Sequence, residues 1–411
     1  MVQLVFFMSL SLPRTSMSAD ERAIAPAKAH TEIKALTGLR GIAALYVVIF
    51  HLNGLFGFPM AIRSFIRHGY MSVDLFFILS GFVMAMTYGS LFKDGFNLKN
   101  FKSFLLLRLA RIYPLYILVT LVTAVMITTV LSDTYHFADD VVRALPFNIT
   151  MTHAWGMAYS IVPPSWSIST EWAAYLLFPI GAFLALWTPK RFALAGAVIA
   201  FAALASIAFG PYWLTLSQQA AGKLNVVHSY APGTTLRCLA SFYLGLVAFR
   251  FKDLVPARAS GVLAVLALGL LCLKATDLWL IAVFAGLIMA LSHDTGFTAR
   301  LLQSRVAHWL GVISFALYLV HDLVQKIVFR SFPVWGISPA LPWPVWAVLS
   351  LTASLGIAAL AHYCFEKPSR RWARALIASL ENRTPVFTQA AFTRVADYVR
   401  SVAARPQTPA E

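Results

Sequence analysis

The segment ALTGLRGIAALYVVIFHLNG sets two ionisable side chains, Arg40 and His51, into an otherwise apolar run. Eleven residues make close to three helical turns, so both side chains leave one face of a helix, about 16 Å apart along its axis. They are too distant to touch but well placed to line one conduit. Arg40 would sit near one mouth, and His51 deeper, as an imidazole able to take up and return a proton. Plainer readings exist for each. Arg40 could be an interfacial residue whose charge snorkels to water, and His51 a helix-end histidine bonded to a neighbour. A charge at mid-bilayer costs on the order of 2.5–3.5 kcal/mol, so a set of such groups asks for a common reason.

Further polar residues supply the set. Asp74, in GYMSVDLFFILSGFVMAM, enters its run at the level of His51. It could orient the imidazole and stabilise its protonated form, or simply face the dipole of its own helix N-terminus. In SWSISTEWAAYLLFP, Ser167, Glu171 and Tyr175 fall at i, i+4 and i+8 and make a polar stripe, with Glu171 a second carboxylate able to align His51. Arg108 and Arg111, in FLLLRLARIYPLY, share a face. Their paired guanidinium forks suit phosphates, although flanking charge of the ordinary kind has the same look. Arg237 interrupts TTLRCLASFYLG. In ISFALYLVHDLV, Ser314, Tyr318 and Asp322 share a face beside His321, the rival catalytic base. The candidates are therefore His51, Asp74 and Glu171 for chemistry, and Arg40, Arg108 and Arg111 for a donor. Ser167, Tyr175, Arg237, Tyr318 and His321 are the candidates for substrate. The three cysteines, Cys238, Cys272 and Cys364, have no metal-like spacing and read as small core residues; no metal site is expected.

The elements that must position these groups follow from composition. Of 411 residues, 59% are hydrophobic and 12% charged, and the mean hydropathy is +0.72. A soluble chain this apolar could not cover its surface with polar groups, whereas a bilayer removes that demand. Ten apolar segments are long enough, or nearly so, to cross, at roughly 36–56, 71–90, 104–131, 166–187, 191–210, 234–250, 258–273, 276–292, 308–330 and 343–365. The expected fold is an all-α polytopic membrane protein, about ten transmembrane helices in one bundle. The net charge of +16 sits between the spans, which points to topology and anionic lipid and away from nucleic acid. With the N-terminus inside, the inner loops and tail hold most of the Lys and Arg, so both termini are expected in the cytoplasm. Residues 1–35 read as a cytoplasmic segment whose true start could be Met17. Residues 36–365 form the membrane domain. Residues 366–411 form a basic cytoplasmic tail with a short amphipathic helix near 389–403 and no assigned chemistry.

Taken in order, these segments resemble the acyltransferase-3 family, the membrane O-acetylases of O-antigen, exopolysaccharide and nodulation factors. The resemblance runs from about Leu36 to Arg371. It rests on Arg40 with His51, SVDLFFILSGF, Arg108-x-x-Arg111 followed by IYP, SWSISTEWAAYLLFP, SFALYLVH and the closing FEKPSRR. It implies a ten-span fold in the inner membrane of a bacterium. It also implies transfer of an acyl group, acetyl by base rate, from acyl-coenzyme A to a hydroxyl of a surface or secreted glycan, with no tightly bound cofactor. By the same resemblance His51 matches the essential histidine, Arg40 its partner, Arg108 and Arg111 the pair that meets the coenzyme's phosphates, and Glu171 the glutamate of the Trp-Ser-x-x-x-Glu segment. The chain departs from the family in having Leu323 where members often have proline. No esterase-like domain is expected, so any second transfer step would need a separate extracytoplasmic partner or would not occur. His51, aligned by Asp74 or Glu171, would act as general base, or would carry the acyl group covalently. The rival class is a proton-coupled glycan transporter or flippase.

Overall fold

A computed structural model describes residues 32–56, 60–129, 138–216, 223–225, 228–328 and 342–383. Ten helices match the ten apolar segments. They are α1 (Lys34–Phe56), α2 (Met71–Tyr88), α3 (Leu98–Thr129), α4 (Trp166–Ala182), α5 (Lys190–Phe209), α6 (Pro232–Arg250), α7 (Ala259–Cys272), α8 (Asp277–Leu291), α9 (Arg305–Lys326) and α10 (Trp343–Leu360). A further helix, α11 (Lys367–Arg383), follows α10. Among the described residues there is no strand, and seven helical stretches are long and apolar enough to cross a membrane. Helices α7 and α8 are apolar but shorter. The protein is a multi-pass, all-α membrane protein. In hydrocarbon every backbone N–H and C=O must find an internal partner, and a helix is the element that satisfies that demand within one segment.

Glycine sets two close helix crossings. Helix α1 packs along α9, and α2 along α6. A Cβ at Gly41 would strike the backbone of Leu310 and Gly311, and one at Gly311 would strike the Thr37 carbonyl. A Cβ at Gly81 would meet the Phe242 carbonyl, and one at Gly245 the Ile78 carbonyl. Without a hydrophobic driving force between helices in lipid, such small-residue contacts supply the close packing that holds a pair together. Gly311→Ala and Gly245→Ala should therefore each destabilise the bundle by about 1–3 kcal/mol through overpacking. A lower thermal midpoint in detergent would report it. Gly269→Ala meets open space and should be neutral or better, which makes it the control.

Helix irregularities carry their own repairs. Pro179 lies inside α4, which ends in a π-helical turn over Phe183–Trp187. There the Arg250 guanidinium donates to the Ala185 carbonyl at 2.8 Å, and the Trp187 indole donates to the Gly89 carbonyl at 3.0 Å. A second π-helical turn, Ala361–Glu366, joins α10 to α11 and is clasped by His362 Nδ1 against Glu366 Oε2 at 2.8 Å, both buried. Together α10, this turn and α11 make a continuous helical run that includes Pro344–Ser379, 36 residues or about 54 Å, which overruns a hydrocarbon core of about 30 Å. One end must project, and the basic α11 packs against α3.

The cysteines divide. Cys238 is buried as expected, but Cys272 and Cys364 are exposed. On helices bathed in lipid an outward-facing small apolar side chain incurs no desolvation penalty, so an apolar run does not mark a core face. The amphipathic helix expected near 389–403, and the Met17 start, lie outside the described residues.

Candidate functional site

Helix α4 is anchored within its first turns. Ser169 Oγ accepts from Ala154 N at 3.1 Å and donates to the Met151 carbonyl at 2.8 Å, while the Trp155 indole donates to the Ser169 carbonyl at 2.9 Å. Beside them His153 is fully buried, and that burial pushes its pKa down to about 4. It therefore stays neutral near pH 7, with Nε2 3.5 Å from Ser165 Oγ. This turn fixes where Ser167 and Glu171 point. Ser167 Oγ meets the Tyr318 hydroxyl at 2.8 Å, and that hydroxyl donates to the Pro164 carbonyl at 2.9 Å, joining α4 to α9. Glu171 accepts from Tyr175 at 2.6 Å and from Ser80 of α2 in a short contact.

Arg40 and His51 do share a face of α1, and both reach α9. Arg40 Nε donates to Ser314 Oγ at 3.0 Å, and its NH2 donates to the Gly311 carbonyl at 2.8 Å. About three turns along α1, His51 Nδ1 lies 2.9 Å from the Val47 carbonyl and 3.3 Å from His321 Nε2. His321 Nδ1 in turn lies 3.1 Å from the Leu317 carbonyl. A carbonyl can only accept, so both imidazoles carry their proton on Nδ1. The His51 Nδ1–H then faces two acceptors, the Val47 carbonyl and the bare His321 Nε2. His51 Nε2 keeps its lone pair and has no protein partner among the described residues.

The carboxylates differ from expectation. Asp74 does not align His51. It is fully buried and receives Arg237 Nε at 2.9 and 3.1 Å, with Arg237 NH2 closing the fork and Ser241 Oγ donating at 3.2 Å. Arg237, also buried, donates to the Leu224 carbonyl at 2.6 Å. A buried guanidinium needs a carboxylate more than an imidazole does, and it takes this one. Glu171 does not bond His51 either; it accepts from Ser80 and Tyr175. The carboxylate within electrostatic range of both histidines is Asp322, itself held by Lys326 at 2.6 Å one turn on. Its adjacency to His321 in sequence was the available signal.

At the Arg40 end of α1, positive charge gathers. Arg108 is buried, donates to the Tyr88 hydroxyl at 2.8 Å with its guanidinium 4.9 Å from that ring, and leaves its Nε without a partner. Arg111 lies in the fields of Arg40, Arg108 and Arg370. Among the described residues Arg111 makes no hydrogen bond, and no carboxylate pairs with Arg108, Arg111, Arg370 or Arg374. Arg370 belongs to α11, in the tail given no chemistry from sequence.

Comparison with known proteins supplies an independent line. A family model described as an acyltransferase domain matches residues 33–363. The chain is 22% identical over 382 residues to the peptidoglycan O-acetyltransferase OatA of Listeria monocytogenes serovar 1/2a, covering 82% of this chain and 56% of that one. It is 26% identical over 375 residues to YrhL of Bacillus subtilis strain 168, provisionally named a peptidoglycan O-acetyltransferase, covering 83% and 55%. A stretch of 60 residues is 45% identical to protein 2 of the picA locus of Rhizobium radiobacter, covering 15% and 28%. The chain thus spans just over half the length of the two long relatives. No solved structure matches.

Proposed function

The chain belongs to the acyltransferase family whose domain it matches over residues 33–363, and from that membership and the polar line through its bundle we propose that it is a membrane O-acyltransferase. The donor is acyl-coenzyme A, acetyl first, and the acceptor a glycan hydroxyl. The observation that carries the reading is the shared use of α9. Arg40 and His51 both bond that helix, Arg40 at its arginine-rich end and His51 further along with a free imidazole nitrogen. The arginine-rich end faces the cytoplasm, in accord with the bias of basic residues toward inner loops, and the membrane is the inner membrane of a bacterium.

In this reading Arg108 and Arg111 hold the coenzyme's phosphates and the pantetheine arm runs toward His51. The distance of about 16 Å between Arg40 and His51 matches that reach. The acceptor oxygen attacks the thioester carbonyl while His51 Nε2 takes its proton. The new C–O bond forms, the C–S bond breaks, and the proton passes to the departing thiolate. Charge arising on His51 is met by the Val47 carbonyl and by His321 Nε2, both already opposite Nδ1–H. Those acceptors need no rearrangement at the moment of transfer, which is where preorganised groups act most strongly. The names of the relatives, peptidoglycan O-acetyltransferases, favour a glycan acceptor.

The rival transporter class is separated by a direct assay. The purified protein in detergent, given acetyl-coenzyme A and a glycan fragment, is expected to release free thiol and to yield an acetylated glycan by mass spectrometry. Glycan movement across sealed vesicles with no thiol release would overturn the enzymatic reading.

A further inference from the structure

The arginines of α11 are not consumed by the fold. Arg370 acts on both Arg111 and Arg374, and Arg374 lies in the fields of Arg370, Arg108 and Tyr88. With α11 packed against α3, the four guanidinium groups of Arg108, Arg111, Arg370 and Arg374 lie within electrostatic range of their neighbours in the set and, among the described residues, have no carboxylate partner; Arg40 adds its field to that of Arg111. Glu366, the nearest acid on the same helical stretch, is taken by His362. Like charges so gathered repel, and the buried Arg108 adds an Nε with no hydrogen bond. An uncompensated buried donor costs roughly 1–3 kcal/mol, so the arrangement calls for a multiply charged anion.

The cluster has a depth order. Arg111 sees Arg40 and is innermost, Arg108 and Arg370 follow, and Arg374 is exposed on the outer side. Coenzyme A has a matching order. Its diphosphate is nearer the thioester, and its ribose 3′-phosphate lies at the far, adenosine end. We propose that Arg370 and Arg374 are the seat of the donor's 3′-phosphate, leaving Arg108 and Arg111 to the diphosphate. This rests on the acyl-coenzyme A reading above and deepens it. The π-helical turn clasped by His362 and Glu366 delivers α11 to that place against α3.

The test pairs side-chain removal with ligand truncation. Binding of coenzyme A and of 3′-dephospho-coenzyme A is measured by calorimetry for the full chain in nanodiscs, as wild type, Arg370→Ala and Arg374→Ala. Loss of one charge-assisted contact should weaken coenzyme A binding by roughly tenfold in each variant, with 3′-dephospho-coenzyme A unaffected. In turnover, KM for acetyl-coenzyme A should rise by the same factor with kcat little changed, as for a lost ground-state contact. Equal weakening of both ligands, or no weakening of either, overturns the assignment. An effect that appears only when the nanodisc holds anionic lipid assigns the arginines to headgroups and also overturns it. Absence of any coenzyme A binding by wild type removes the donor reading itself, and this seat with it. Thermal midpoints equal to wild type keep misfolding out of the comparison, and Arg374, being exposed, is the safer variant.

Discussion

His51→Ala is expected to lower turnover by about 10³-fold or more while leaving the protein folded, since positioned acid–base catalysis contributes about 10²–10⁴ and, among the described residues, no other free imidazole nitrogen lies on the polar line. The structural cost is small. His51 is only partly buried, and its partners are one carbonyl and one imidazole, so its removal forfeits about 1 kcal/mol of hydrogen bonding. His321 is the comparison that gives the result meaning. It is fully buried and touches His51 through Nε2, so it acts as a positioning residue and not as the base. His321→Gln keeps an acceptor within reach of the His51 Nδ1–H and should retain kcat within about tenfold. His321→Leu removes that acceptor and should lose about 10²-fold in kcat with KM for the donor unchanged, the mark of an interaction made in the transition state. Turnover retained in His51→Ala, measured as acetyl transfer by purified protein of wild-type thermal midpoint, would end the general-base role. Equal loss in the glutamine and leucine variants of His321 would reduce that residue to packing.

The pattern of what could be read from sequence follows from where each property is decided. All ten apolar segments became helices, because lipid leaves the backbone no other local solution. The alignment of Arg40 with His51 was likewise local, fixed by helical period, and both reach α9. Partner choice between helices was not local. Asp74 and Arg237 are 163 positions apart, and nothing in either segment marks the other as its counterion. The same holds for Ser80 reaching Glu171 across 91 positions. Arg370 was visible in FEKPSRR but looked like topological flanking charge, since every loop expected on the inner side is basic. It lies in the field of Arg111 on the helix that follows the π-helical turn at 361–366, a departure that sequence does not announce.

Asp74→Asn should be among the most damaging single changes in the bundle, for reasons unrelated to chemistry. It leaves the Arg237 guanidinium, 1% exposed, bonded to the Leu224 and Tyr70 carbonyls with no carboxylate in contact, the buried Asp277 acting on it only through its field. Removing one partner of a buried pair costs about 3–5 kcal/mol, whereas neutralising both can be nearly free. Arg237→Gln alone strands the Asp74 carboxylate and should be equally harmful. The double variant Asp74→Asn/Arg237→Gln, which keeps amide hydrogen bonding and removes both charges, should recover most of the lost thermal stability. Its coupling energy is then read from the double-mutant cycle. Activity of the recovered double variant decides what Asp74 is for. With Asp74 bonded to Arg237 and Ser241 and not to His51, turnover should stay within about tenfold of wild type, a loss of no more than 1.4 kcal/mol in the barrier. A folded double variant as inactive as His51→Ala would return Asp74 to the reaction, and would mean that the salt bridge seen at rest opens when substrates arrive.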